Sequence, residues 1–368
     1  MKKILTVIGP RPQVIKSAAI TRVVRDDFRG ELEEVVVHTG QHFDANMSSD
    51  FYAEMFLPIP RYQFEIDDSE PLPINQMIQN IQAAVQKESP DALLVYGDTN
   101  STLAGTISAI IEDIPLIHVE AGMRSFNMLM PEEGNRILTD HSSDLLFSPT
   151  KIGVLNLKKE KINSDKVKYC GDVMFDNSLF YEAKAREQST ILTRYNLKYN
   201  EFNLFTCHRG SNTDDAVKLR AIIEGVIDIK LKSGNEIVFP MHPRTEKMIL
   251  KFFGPYYLDQ LKSEILVIPP ASYLDIIMLE CNSNIVITDS GGIQKEAYFF
   301  KKKSLILREE TEWGEILDNQ AAILFKVNEG SLIQAYDKVQ KLNPNFKDIY
   351  GDGKAGEFIC NEILELLK

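Results

Sequence analysis

The chain has little that would tie it to disulfide, metal or membrane chemistry. Its 368 residues include four cysteines, Cys170, Cys207, Cys281 and Cys360, widely scattered and without a CxxC pair. Such spacing gives neither a disulfide framework nor a zinc set, so reduced thiols in a cytosolic protein are expected. No His/Cys/Asp cluster has metal-ligand spacing, and neither a metal nor another cofactor is expected. No apolar run reaches membrane-spanning length, and Met1-Lys2-Lys3 leads straight into the strand-like Ile4–Ile8, too short for a signal-peptide core. A cytoplasmic protein is the expectation. Positive charge is also in deficit: 41 Lys and Arg against 53 Asp and Glu leave −12. Without a general positive field, nucleic acid is excluded as a partner, and a phosphate-bearing ligand must be held by local donors. A G-x-S-x-G nucleophile elbow is missing, which argues against a serine hydrolase of the α/β class.

What is present is an ordinary soluble composition, 44% hydrophobic and 26% charged, in a chain long enough for two domains. Short apolar runs alternate with amphipathic segments almost throughout, the pattern of βαβ units and parallel sheets. Ile4–Ile8, Glu34–His38, Ala92–Tyr96, Leu116–Glu120, Leu145–Ser148 and Val167–Tyr169 read as a first series of strands. Leu204–Cys207, Ile237–Pro240, Ile265–Ile268, Ile285–Thr288, Leu305–Leu307 and Ala322–Phe325 read as a second. The expected fold is α/β, with two Rossmann-like domains facing across a cleft. Residues 1–171 form the first domain and 172–354 the second, with the last helix, 355–368, returning to the first.

Ligands of open α/β sheets lie beyond the carboxyl ends of the strands, so those ends are the places to look. Thr288-Asp289-Ser290-Gly291-Gly292-Ile293 joins an apolar strand to a helix. Two glycines there let the backbone approach an anion, with N–H groups and the helix dipole aimed at it. Glu296, about a turn further on, suits the paired hydroxyls of a ribose. An ordinary helix cap by Asp289 or Ser290 is the alternative for that stretch. Arg11 and Lys16 open a helix whose start prefers anions, which a bound phosphate or carboxylate would justify. Asp98, Glu120 and Glu132 arise at successive strand ends of the first domain, and crowded carboxylates can supply both an acid and a base. Asp98 could equally cap its helix, and one of Glu132 and Glu133 could serve the helix dipole. His208 beside Arg209, and His242 near Arg244, stand at strand ends of the second domain, where a phosphorylated ligand would find them. The one tryptophan, Trp313, lies just beyond a strand in Arg308–Glu315.

Taken in order, Gly9–Lys16, His38–His42, Gly97–Thr102, His118–Arg124, Pro131–Arg136, His208-Arg209, His242–Thr245, Thr288–Glu296, Thr311–Glu315 and Gly351–Glu357 make a pattern covering nearly the whole chain. With it the chain resembles the non-hydrolysing UDP-N-acetylglucosamine 2-epimerase family, whose architecture is the two-Rossmann glycosyltransferase-B type. The resemblance implies loss of the C2 proton and of UDP from C1, then reprotonation of a 2-acetamidoglucal-like intermediate on its other face as UDP returns. By matching position it implies Asp98, Glu120 and Glu132 as acid and base, with His208 near the diphosphate or C2. It assigns Arg11, Lys16, His242, Ser290, Gly291, Gly292 and Glu296 to substrate and UDP. A homodimer is a further implication. Departures from the family pattern are Pro10 for the usual Thr, Gln13 for a frequent Glu, Gly210-Ser211 after His-Arg, and Trp313-Gly314 for the common Arg-Pro. Gly210-Ser211 puts a regulatory UDP-sugar site in question. Together with Phe43–Met47, Ser125–Met128 and Gln294–Ala297, Trp313 resembles the branch acting on UDP-2,3-diacetamido-2,3-dideoxy-glucuronate. That substrate and UDP-N-acetylglucosamine both stand open.

Overall fold

The computed structural model describes residues 1–41, 49–66, 73–327 and 330–368. His42 and the segment Phe43–Met47, drawn on for the resemblance, lie outside the described residues. The chain divides into two compact units, residues 1–179 with 348–368, and residues 180–347. The helix Val173–Gln188 carries the chain from the first to the second.

In the first unit seven strands form one sheet: β1 (Lys2–Ile8), β2 (Leu32–His38), β3 (Tyr62–Gln63), β4 (Ala92–Tyr96), β5 (Leu116–Val119), β6 (Leu145–Ser148) and β7 (Val167–Tyr169). Their order is β3-β2-β1-β4-β5-β6-β7 and every pairing is parallel. The second unit has β8 (Phe202–Thr206), β9 (Glu236–Pro240), β10 (Leu266–Ile268), β11 (Ile285–Thr288), β12 (Lys303–Ile306) and β13 (Ala322–Leu324). Its order, β10-β9-β8-β11-β12-β13, is again all parallel. Both sheets therefore reverse direction of growth once, between β1 and β4 and between β8 and β11. Such a reversal opens a crevice for a ligand at the carboxyl ends.

The central strands are apolar runs because helices cover both faces. Every residue of β4, β5, β8 and β11 is buried. Leu5, Val7, Leu93 and Val95 pack with Met77, Ile81 and Ala104 of the flanking helices in the first unit. Phe205, Phe239 and Ile287 pack with Ile222, Val226 and Ile249 in the second. The chain's last helix, Ala355–Leu366, lies on the helix Arg11–Asp26, where a Cβ on Gly356 would stand 3.2 Å from the Ala19 carbonyl oxygen. Asp176 caps it, accepting from the N–H groups of Ala355 at 3.1 Å and Gly356 at 2.8 Å. No helix among the described residues is long and apolar enough to cross a membrane.

Candidate functional site

At the switch point of the first sheet, Gln13 ties strand ends together. It accepts from Gly9 N–H at 2.8 Å and donates to the Tyr96 carbonyl at 2.6 Å and the Thr102 hydroxyl at 2.9 Å. A glutamate could not donate, so the amide suits this bridge. One turn further along, Lys16 Nζ stands 2.6 Å from Glu120 Oε1, with both side chains largely buried. Gly97, the first residue beyond β4, has φ +62°, and a Cβ there would sit 3.3 Å from Lys16 Nζ and 3.5 Å from Glu120 Oε1. Glu120 itself has φ +76°, a conformation rare outside glycine and asparagine that concentrates at functional sites. Below this turn the buried His118 places Nε2 2.8 Å from the Gly97 carbonyl oxygen and Nδ1 2.7 Å from Asp140 Oδ1.

Asp98 follows Gly97. Arg136 Nη2 lies 2.5 Å from its Oδ2, and the Asn135 amide donates to its carbonyl at 2.9 Å. Burial pushes the Asp98 carboxyl above the usual aspartate range, Arg136 and Lys16 pull it back, and the Glu120 charge adds to the rise. A carboxyl so placed can hold or give up a proton nearer neutrality than a solvated one. The neighbouring glutamates divide sharply. Glu132 is exposed on the first turn of the helix Pro131–Ser142, whereas Glu133 is buried and binds Arg136, Ser125 and Phe126. Arg11 lies at the start of its helix with its guanidinium 4.8 Å above the Phe51 ring. His38 is buried, its ring taking the Gly40 N–H on Nδ1, and burial holds it neutral, lowered to about 4.

In the second unit the helix Gly291–Phe299 begins at the carboxyl end of β11, with Ser290 as its N-cap. Gly291 is closely surrounded: a Cβ would come within 3.2 Å of Glu312 Oε1, 3.5 Å of Arg209 Nη2 and 3.9 Å of Arg308 Nη1. Arg308 Nη1 is 2.9 Å from Glu312 Oε2. A helix N-terminus flanked by two guanidinium groups is suited to a diphosphate. Asp289 is wholly buried and binds the backbone N–H groups of His208 and Arg209 and the Asn212 amide, fixing the loop after β8 against β11. His208 and His242 lie side by side with ring centroids 5.5 Å apart. His242 Nδ1 accepts the Arg244 N–H at 3.1 Å, which leaves Nε2 as the proton-bearing nitrogen of the neutral ring. Glu296 is nearly buried and accepts from the Tyr273 hydroxyl at 2.8 Å. Lys295 is buried beside it, its Nζ 3.9 Å from the Trp313 ring centroid.

A family model described as UDP-N-acetylglucosamine 2-epimerase matches residues 27–364. This chain belongs to the UDP-N-acetylglucosamine 2-epimerase family. The epimerase-family chain is 40% identical to the UDP-2,3-diacetamido-2,3-dideoxy-D-glucuronate 2-epimerase of Pseudomonas aeruginosa, over 99% of its length and all of that protein's. It is 38% identical to a UDP-N-acetylglucosamine 2-epimerase homolog of Methanococcus maripaludis, over all of this chain and 99% of that one. The crystal structure of the Methanocaldococcus jannaschii UDP-GlcNAc 2-epimerase in complex with UDP-GlcNAc and UDP superposes with a TM-score of 0.88 at 36% identity, covering 99% of each chain. The two parallel sheets with flanking helices are thus the α/β fold of these epimerases.

Within this epimerase fold the first unit brings Lys16, Asp98 and Glu120 together, and the second gathers His208, His242, Ser290, Gly291, Gly292 and Glu296 around the ends of β8, β9 and β11. Arg244 stands beside the loop after β8, its Nη2 3.1 Å from where a Cβ on Gly210 would be. Its guanidinium pairs with Asp214, 2.6 Å away, and bonds the Thr213 hydroxyl. Sequence reading marked Arg209 beside His208 as suited to a phosphorylated ligand but did not single out Arg308 as a ligand, nor Arg136 and Glu133 behind Asp98. A signal for Arg308 did exist, since it directly follows a strand.

Proposed function

We propose that the chain is a non-hydrolysing 2-epimerase of a UDP-2-acetamido sugar. A base removes the C2 proton, and the freed electron pair forms the C1=C2 bond as the C1–O bond breaks and its pair leaves with UDP. A proton then reaches C2 from the opposite face and a diphosphate oxygen re-forms the bond at C1. Overall nothing is oxidised or reduced. The observation that carries this reading is the Asp98 carboxyl, raised by burial and standing in one cluster with the Lys16–Glu120 pair. Asp98 and Glu120 are assigned as the acid and base, with Glu132 as a third carboxylate and His208 at the diphosphate. Ser290, Gly291, Gly292, Arg209, Arg308 and His242 hold the diphosphate, and Glu296 the ribose. Arg11 completes the substrate-binding set. We assign a cytoplasmic homodimer.

For the sugar itself, the full-length identity to the Pseudomonas aeruginosa protein favours UDP-2,3-diacetamido-2,3-dideoxy-glucuronate, with UDP-N-acetylglucosamine as the second reading. Incubation of the enzyme with each nucleotide sugar in D2O, followed by NMR, tests the proposal. Deuterium is expected at C2 of both epimers of one of them. Free sugar accumulating without labelled nucleotide sugar would mark a hydrolase instead, and tight binding without exchange a sensor.

A further inference from the structure

Behind Asp98 runs a chain of buried charges that the reaction scheme leaves without a task. Arg136 is a fork. One arm, Nη2, holds Asp98 Oδ2 at 2.5 Å, and the other, Nη1, holds Glu133 Oε2 at 2.8 Å. The Arg136 side chain is 8% exposed and that of Glu133 1%. Glu133 in turn gathers the start of the preceding loop, taking the Ser125 N–H at 2.9 Å, the Ser125 hydroxyl at 2.8 Å and the Phe126 N–H at 3.0 Å. Phe126, at φ +58°, is strained where it leaves this anchor. A surface ion pair could serve stability alone. Here the guanidinium is fixed on both arms, so its distance from Asp98 is set by Glu133 and not by solvent.

We infer that Arg136, locked by Glu133, is a positioning residue for Asp98, committing Oδ2 and leaving Oδ1 to exchange the proton. Glu133 moderates the field that Arg136 exerts there. The inference rests on the epimerase reading for the task of Asp98, but not for the electrostatics. The groups facing Asp98 are Arg136 from the helix Pro131–Ser142, Lys16 from the helix Arg11–Asp26, and Glu120 after β5. Two changes on one fork must then act in opposite directions. Arg136→Met removes a cation at contact distance, so Asp98 holds its proton more tightly. Glu133→Gln removes an anion from the far side of Arg136, so the cation acts on Asp98 with less cancellation and the proton is held less tightly.

The test is a ¹³C NMR titration of the Asp98 carboxyl, assigned with Asp98→Asn, alongside the pH profile of kcat/KM for C2 deuterium exchange. In Arg136→Met the acid limb is expected to move up by roughly 1 to 3 pH units, the span by which a nearby cation lowers a carboxylate. In Glu133→Gln it should move down by a smaller amount, and Arg136→Lys should restore much of the wild-type profile. Should Arg136→Met fail to fold, Glu133→Gln alone still decides the sign. A uniform loss of rate at all pH values, or movement in one direction in both variants, would overturn the inference. If the wild type exchanges no deuterium while the titration shifts with opposite signs, the epimerase reading fails and the role of Arg136 stands.

Discussion

In the first unit the ends of β4 and β5 carry acids, Asp98 and Glu120, each paired with a cation, Arg136 on Asp98 and Lys16, from the helix after β1, on Glu120. In the second, the ends of β8 and β12 carry arginines set around a helix N-terminus, and the acids beside them, Asp289 and Glu312, hold loops and guanidinium groups in place. The same switch-point topology thus supports two electrostatic arrangements. One sets carboxyl groups against single cations, the arrangement that the proposed reaction uses for proton exchange; the other sets guanidinium groups around a helix N-terminus, which the same proposal gives to the diphosphate. The difference shows that the fold supplies the position and a few side chains decide the chemistry.

The comparison breaks most readily at its chemical end. Asp98→Asn or Glu120→Gln should lower C2 exchange by roughly a hundred- to ten-thousand-fold, the usual contribution of a general acid or base. UDP affinity, read by calorimetry, should stay near wild type; a matching loss of affinity would mean that these acids bind and do not react. Next in size are Arg209→Gln and Arg308→Gln. Each removes a charged donor from the glycine turn and should weaken UDP by about 10- to 100-fold. Arg244→Gln sharpens the same point. Its guanidinium is spent on exposed Asp214, so an effect below about threefold is expected. A loss equal to that of Arg308→Gln would disprove the ranking by strand order.

The smallest effect concerns Asp176, the cap of the last helix. Burial raises its carboxyl from the ordinary 3.8 to about 6, although the N–H bonds of Gly356 and Ala355 act against that. The folded chain therefore binds this proton more tightly than the unfolded chain. Its contribution is fully present below about pH 4 and is lost as pH rises through about 6. Asp176→Asn keeps an acceptor and removes the titration, so its unfolding midpoint should gain on wild type by a few degrees between pH 4 and 7. A constant difference across that range would assign the rise to another group.

Several of these elements were legible from residue order. The Ser290–Gly292 turn showed itself because a strand, two glycines and a helix are contiguous, and Glu296 is fixed by helical spacing from it. Strand runs matched to within a residue or two where the apolar run was long, as at β4 and β11. The two-residue β3 and the helix Val173–Gln188 went unread. β3 is too short to show a period, and the buried stripe of the helix, Val173, Met174, Asn177, Ser178, Tyr181 and Ala185, includes two polar residues while Leu179 is exposed, so its apolar residues alone show no helical period. Glu132 and Glu133 are indistinguishable in sequence, and only the fold buries one and exposes the other.

Residue types and their spacing were enough, on their own, to establish the α/β class, the glycine turn and the acids at strand ends, because each is a local property of a strand followed by its loop. Which arginines flank the turn was decided only in three dimensions. Sheet order puts β8 and β12 on either side of β11 and β9 one strand further away, so Arg209 and Arg308 reach Gly291 while Arg244 turns to Asp214. Neighbours across a parallel sheet are set by crossover connections and not by distance along the chain, and so no spacing rule could rank the three.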